Sequence, residues 1–289
     1  MTSRAEAEGR SSAPLGVFDS GLGGLTVVRA LLEALPSERI VYLGDTARVP
    51  YGTRSADTVV RYARACARTL LEHEIKALVV ACNTVSAVAL EILRAELDLP
   101  IIGVVEPGAR TALSAVESLP ASDVPARIGV LGTLGTVASG AYPRAVGQLS
   151  TRYEVVLEPA PLLVPLIEEG WLEGEVPRLV VQRYVAPLIT AGARVIVLGC
   201  THYPLLAPLI EQVAAELAGR RVPVVDSARA TADAVREAVE AARITAAPDG
   251  AAPELELLVT DRPRSFSDVA ARFLGRELPA VRQIDLLVG

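Results

Sequence analysis

Short runs of aliphatic and β-branched residues recur along the chain, each ending in Gly, Asp, Thr or Cys and then passing into a helical pattern. They read "LGVF" into "DSGLGG", "IVYLGD", "ALVVA" into "CNT", "PIIGVV", "RIGVLG", "YEVVLE", "RVIVLG" into "CTH", "VPVVDS" and "LELLVTD". Strands that alternate with helices of about 10 to 15 residues pair in parallel, because a parallel pair needs a crossover long enough to hold a helix. The spacing therefore predicts an α/β fold of βα units. In such sheets ligands bind beyond the carboxyl ends of the strands. Polar and small residues collect there: Asp19 and Ser20, Asp45, Cys82 with Asn83 and Thr84, Thr133 and Thr136, and Cys200 with Thr201 and His202.

"ALVVACNT" at 77–84 and "VIVLGCTH" at 195–202 share one order: apolar strand, cysteine, polar residue. One copy in each half predicts two pseudo-symmetric lobes, each a mainly parallel sheet flanked by helices, with the active site between them. A length of 289 residues also exceeds the usual single domain. Breaks near "VEPGAR" and "AGRRVPVVDS" set the expected partition. Residues 1–14 form a disordered tail, 15–107 and 220–289 a first α/β domain, and 108–219 a second.

Half of the residues, 51%, are hydrophobic and 21% are charged, with a mean hydropathy of +0.38, which is the composition of a core-rich globular chain. A net charge of −6 and a pI near 5.2 give a field that repels nucleic acid and anionic membrane, so neither is an expected partner. No apolar run approaches the roughly 20 residues of a membrane helix, and the N-terminus lacks a signal-peptide core, so the expected location is cytoplasmic. Three scattered cysteines make no disulfide framework, and reduced thiols are expected.

Cys66 lies in "VVRYARACARTLLE", where apolar residues recur at helical spacing, and reads as an inert core thiol. Cys82 and Cys200 stand instead at strand ends, where helix-terminal N–H groups lower a thiol pKa from its usual value of about 8.5. Four chemistries use such thiols. A metal site of Cys82, Cys200 and His202 has no C-x-x-C pair and no zinc-motif spacing. A hydrolase of Cys200, His202 and Asp19 leaves Cys82 without a role. A dithiol couple usually has its cysteines close in sequence. Proton transfer at a stereocentre, one thiol to each face, uses both.

"FDSGLGGLTV" does not satisfy G-x-G-x-x-G, and no P-loop is present. Its turn still offers N–H groups to a carboxylate, and Asp19 reads equally as a helix cap. "CNT" and "CTH" read as caps or as a grip on a substrate carboxylate. Tyr51 and Gly52 in "VPYGTRS" line a pocket mouth or shape a loop. His202, two residues after Cys200, can tune that thiol, whereas His73 in "LLEHEIK" reads as a surface residue. Glu168 and Glu169 in "PLIEEGW" read alone as solvated charges at a helix end.

In order along the chain, "FDSGLGGLTV", "GDTARVPYG", "ACNTVSA", "GVVEPGA", "GVLGTLGTV", "PLIEEG" and "LGCTHYPLL" resemble the motifs of glutamate racemases. These are cofactor-independent isomerases that supply D-glutamate for peptidoglycan and cell shape. The resemblance implies that Cys82 and Cys200 are the acid/base thiols, that Asp19 assists Cys82, and that His202 and Glu168 assist Cys200. It also implies substrate binding by Asp19, Ser20, Tyr51, Gly52, Asn83, Thr84, Thr133, Thr201 and His202, with no metal, no cofactor and a homodimeric assembly. The "CTHYP" form with its histidine favours glutamate over aspartate. Ala160 stands where many members carry a cysteine, a position outside the catalytic pair. Lys76 is the only lysine, and it precedes its strand at the wrong end for a pyridoxal phosphate Schiff base. An aspartate racemase-like enzyme and a cysteine hydrolase or thiol-bearing binding protein are the alternative readings.

Overall fold

Strands buried on both faces read as unbroken apolar runs, and the first three strands here are buried at every residue. The computed structural model describes residues 11–120, 126–246, 254–262 and 266–287. In it β1 (Leu15–Asp19), β2 (Ile40–Gly44), β3 (Ala77–Val80) and β4 (Ile101–Gly103) alternate with α1 (Leu25–Ala34), α2 (Ala56–Leu71), α3 (Asn83–Val88) and α4 (Leu90–Glu96). Helix α5 (Val105–Glu117) leads to β5 (Arg127–Gly132), α6 (Leu134–Ser139), α7 (Ala141–Leu149) and β6 (Glu154–Pro159). Next come α8 (Leu163–Glu168), α9 (Glu175–Thr190), β7 (Ala193–Gly199), α10 (Ala207–Ala218) and β8 (Val224–Val225). The described chain closes with α11 (Ala228–Ala241), β9 (Leu255–Val259), α12 (Phe266–Leu274) and β10 (Val281–Gln283).

Two sheets result, in the orders β10-β9-β2-β1-β3-β4 and β6-β5-β7-β8, and their strand pairs run parallel. The inner order β2-β1-β3-β4 recurs as β6-β5-β7-β8, so β1 corresponds to β5 and β3 to β7. The two cysteine-bearing segments that echo each other in sequence therefore leave equivalent strands. One apolar cluster joins the sheets, running through Val17, Val79, Leu131 and Leu198. It brings the carboxyl ends of both sheets together. Among the described residues no helix is long and apolar enough to cross a membrane.

The expected breaks differ from the observed sheets. Residue 107 lies inside α5, whose buried Val105, Ala109, Ala112 and Val116 share a core with Ile128, Val130, Val195 and Val197 of the second sheet. Pro107 occupies the first turn of that helix, where a missing N–H breaks no bond, so "VEPGAR" is the start of a helix. The break at 219/220 precedes β8, which pairs with β7 in the second sheet. Only after β8 does the chain return, with α11 on α1 and β9 beside β2. Of the expected tail, residues 1–10 lie outside the described residues, while 11–14 are tied down. The Lys76 Nζ donates to the Ser11 carbonyl at 2.8 Å and the Lys76 N–H to the Pro14 carbonyl at 2.9 Å.

Candidate active site

Four strand ends converge on one cavity of about 320 Å³, whose walls include Ser20, Tyr51, Gly52, Cys82, Asn83, Thr84, Thr133, Glu168, Cys200, Thr201 and His202. Asp19 ends β1 beneath the turn "SGLGG" and is buried. Its Oδ2 accepts from the Gly21 N–H at 2.9 Å and its Oδ1 from the Thr201 hydroxyl at 3.4 Å. The buried Tyr42 hydroxyl donates to the Gly21 carbonyl at 2.7 Å and fixes the turn from below. A Cβ at Gly23 would collide with Thr201 Oγ1 and the His202 ring, so a glycine is what lets the second sheet close on this turn. Burial raises the Asp19 carboxyl above the usual range, with His202 and the Gly21 and Gly24 N–H groups pulling it back.

Cys82 follows β3 as the N-cap residue of α3, and its thiol donates to Ser20 Oγ at 3.5 Å. Its neighbourhood reverses the expected shift. Burial first, and then the negative charge of Asp19, push this thiol up to about 12, outweighing the Val85 N–H and the Ser20 hydroxyl. Helix α3 is only six residues long, and its terminal field is correspondingly weak. Asp19 acts on Cys82 through charge, while its carboxylate oxygens accept from the Gly21 N–H and the Thr201 hydroxyl.

Cys200 follows β7, at the position equivalent to Cys82. His202 faces it with Nδ1 at 3.9 Å from Sγ, while Nε2 lies 3.0 Å from Glu168 Oε1. Burial opposes charge on this imidazole, yet Cys200 and Glu168 prevail and push it up to about 10. Both partners thus favour the protonated imidazole. The Phe273 ring packs T-shaped on it, with centroids 4.9 Å apart. Of the two adjacent glutamates it is Glu168 that meets the histidine, and Glu169 is exposed.

Residues of both sheets meet across the cavity. The Asn83 amide donates to the Tyr142 hydroxyl on α7 at 2.9 Å, and its buried Oδ1 has no partner. Thr84 Oγ1 lies 2.9 Å from Thr133 Oγ1, and the Thr136 N–H donates to Thr133 as the cap of α6. A Cβ on Gly52 would come within 2.6 Å of Thr133 Cβ, so the loop approaches the second sheet because that position is glycine. Tyr51, buried, donates to Asp45 Oδ2 at 2.5 Å, and Arg48 and Thr260 hold the other carboxylate oxygen at 2.7 and 2.8 Å. Val49, Pro50, Leu134, Pro161, Val164 and Pro165 form an apolar wall that sequence reasoning did not identify. Tyr142, Tyr42 and Phe273 were missed as well, because aromatic residues at helix or strand spacing carry no signal beyond core packing.

Cys66 is buried on the core face of α2 and does not line the cavity. His73 sits apart, half-buried, with Nδ1 3.7 Å from Glu256 Oε2. No group of three or more His, Cys, Asp or Glu among the described residues is arranged to hold a metal ion. Lys76 lies at the amino end of β3, away from the cavity, and pairs with Glu38 at 2.5 Å.

A family model described as Asp/Glu/Hydantoin racemase matches residues 15–235. The chain is 45% identical to the glutamate racemase of Syntrophus aciditrophicus over 94% of its length and 97% of that protein. It is 46% identical to the glutamate racemase of Geobacter metallireducens over 94% of its length and 96% of that protein. Among solved structures, a glutamate racemase from Francisella tularensis in complex with D-glutamate superimposes with a TM-score of 0.83 at 33% identity, covering 95% of this chain and 98% of the other. By this match over most of its length and by these identities, the chain belongs to the Asp/Glu/hydantoin racemase family, among its glutamate racemases.

Proposed function

We propose that this site interconverts L- and D-glutamate by proton transfer at Cα between Cys82 and Cys200. The observation that carries the reading is that two buried cysteines, on equivalent strand ends of two sheets, line one cavity. One cysteine as thiolate takes the α-proton while the C–H electron pair remains on the carbon and spreads into the carboxylate. The other, as thiol, delivers its proton to the opposite face, so the two sulfurs exchange protonation states in each turnover. The Cα–H is a weak acid, and the site must supply the stabilisation through desolvation and hydrogen bonds already in place. Buried walls and the cluster of Ser20, Asn83, Thr84, Thr133, Thr201 and backbone N–H groups suit that task, with Tyr51 and Gly52 shaping the mouth. Asn83 Oδ1, buried and unpartnered, suits the substrate ammonium. His202, paired to Glu168, presents a proton donor to Cys200, and Asp19 sets the charge near Cys82.

On this reading the enzyme is cytoplasmic and homodimeric and feeds D-glutamate to peptidoglycan synthesis. Its lobes comprise β1 to β4 with the segment after β8, and α5 to β8. The purified protein is expected to racemise both enantiomers and to carry solvent deuterium into Cα. Cys82→Ala and Cys200→Ala each should lose at least about 10²-fold in kcat, and full activity in the double variant overturns the proposal. One observation favours a second reading: Cys200, His202 and Glu168 form the chain of contacts used by cysteine hydrolases. In that case Cys82 is dispensable and ester hydrolysis replaces racemisation.

A further inference from the structure

The pair beside Cys200 is held from the opposite lobe. Glu168 is the last residue of α8, a six-residue helix with little stability of its own, and its side chain is 46% exposed. Packing alone does not fix that carboxylate. The last carbonyls of α8 are met by Arg272 of α12, whose Nη1 donates to the Ile167 carbonyl at 3.1 Å, which also accepts from the Gly170 N–H at 3.0 Å, and whose Nη2 donates to the Glu168 carbonyl at 3.5 Å. The chain leaves α8 through Gly170 at φ +77°, and a Cβ there would lie 2.7 Å from Arg272 Nη1. The turn is thus shaped around the guanidinium.

The next residue of α12 touches the other partner. Phe273, fully buried, packs T-shaped on the His202 imidazole with an interplanar angle of 71°. Helix α12 itself is anchored on α1 and buries Phe266, Val269, Ala270 and Leu274. Two consecutive residues of one first-lobe helix therefore contact the two members of a second-lobe pair.

We propose that Arg272 and Phe273 are positioning residues that hold Glu168 and His202 in the orientation that keeps Nδ1 on the Cys200 sulfur. This rests on the reading of Cys200 as an acid/base group. Arg272 anchors the backbone that carries the carboxylate, and Phe273 limits rotation of the ring. Neither touches the cavity. The titratable groups facing His202 are Glu168 from α8, Cys200 from the end of β7 and Asp19 from the end of β1.

The test is racemisation by Arg272→Met, Arg272→Lys, Phe273→Leu and Cys200→Ala, with kcat and KM followed from pH 6 to 10 and folding checked by circular dichroism. Arg272→Met is expected to lower kcat about tenfold, a part of the roughly hundredfold or more that a placed acid–base group contributes, with KM changed less than about twofold. Its basic limb should move to lower pH, because a loosened Glu168 holds the imidazole proton less firmly. Arg272→Lys should restore most of the rate, and Phe273→Leu should shift the same limb. A folded Arg272→Met enzyme with wild-type kcat and an unmoved basic limb overturns the proposal. So does a loss confined to KM. Activity retained in Cys200→Ala fails the underlying reading instead, so the two failures are told apart.

Discussion

The Asn83 side-chain amide donates to the Tyr142 hydroxyl at 2.9 Å, a bond between the residue after Cys82 and a helix of the other lobe. It directs Asn83 Oδ1, buried and unpartnered, to accept from a ligand donor. Tyr142→Phe leaves a buried N–H without its acceptor, at a cost of about 1–3 kcal/mol. The expected result is a KM for glutamate raised about tenfold, each factor of ten being about 1.4 kcal/mol, with kcat changed much less. Steady-state kinetics of Tyr142→Phe decides this, and an unchanged KM shows that the bond does not orient the amide.

The parallel strands and their polar ends were legible in the sequence because burial on both faces leaves uninterrupted apolar runs, as in β1, β3 and β7. The cysteine pair was legible for a related reason: a duplicated strand order repeats the same strand–cysteine–polar motif at Cys82 and Cys200. The choice between Glu168 and Glu169 was not. It depends on where α8 ends, and that end is set by Gly170 and by Arg272 about a hundred residues away in sequence. Tyr142 and Phe273 sit in helices at apolar spacing, so only packing between the lobes reveals what they touch. The break expected near "VEPGAR" lies close to the passage from β4 to α5 but just inside that helix, whose start Pro107 and Gly108 both fit.

The proton affinity of Cys82 followed neighbourhood and not position. A thiol pushed up to about 12 by burial and by Asp19 is almost wholly protonated at neutral pH in the free enzyme. Its thiolate fraction, and with it the rate of alkylation, should rise about tenfold per pH unit with no plateau between pH 7 and 9. Mass-spectrometric rates of iodoacetamide labelling at the Cys82 peptide measure this. Asp19→Asn removes the charge that disfavours the thiolate, so labelling at a fixed pH should speed up. A plateau below pH 9 in the native protein contradicts the burial argument.

The only lysine tests what holds the first sheet together. Lys76 and Glu38 bury their side chains to 0% and 1% exposure, and the pair ties in two further segments of the chain. Lys76 Nζ donates to the Ser11 carbonyl at 2.8 Å, and Glu38 Oε1 accepts from the Ala246 N–H at 2.9 Å. Burial lowers the affinity of Lys76 for its proton, with Glu38 opposing that shift. Removing one partner strands the other charge in the core, which costs about 3–5 kcal/mol, whereas replacing both with apolar groups of similar volume is often neutral. Lys76→Met is therefore expected to lower the urea midpoint strongly, and Lys76→Met with Glu38→Leu to recover much of the loss. Strictly additive effects in that double-mutant cycle would show that the charges are not coupled. Turnover per folded molecule should stay at the wild-type level in the single variant, because Lys76 precedes β3 while the cavity lies beyond the strand's other end. A fall in kcat without a fall in stability would instead tie the pair to the site.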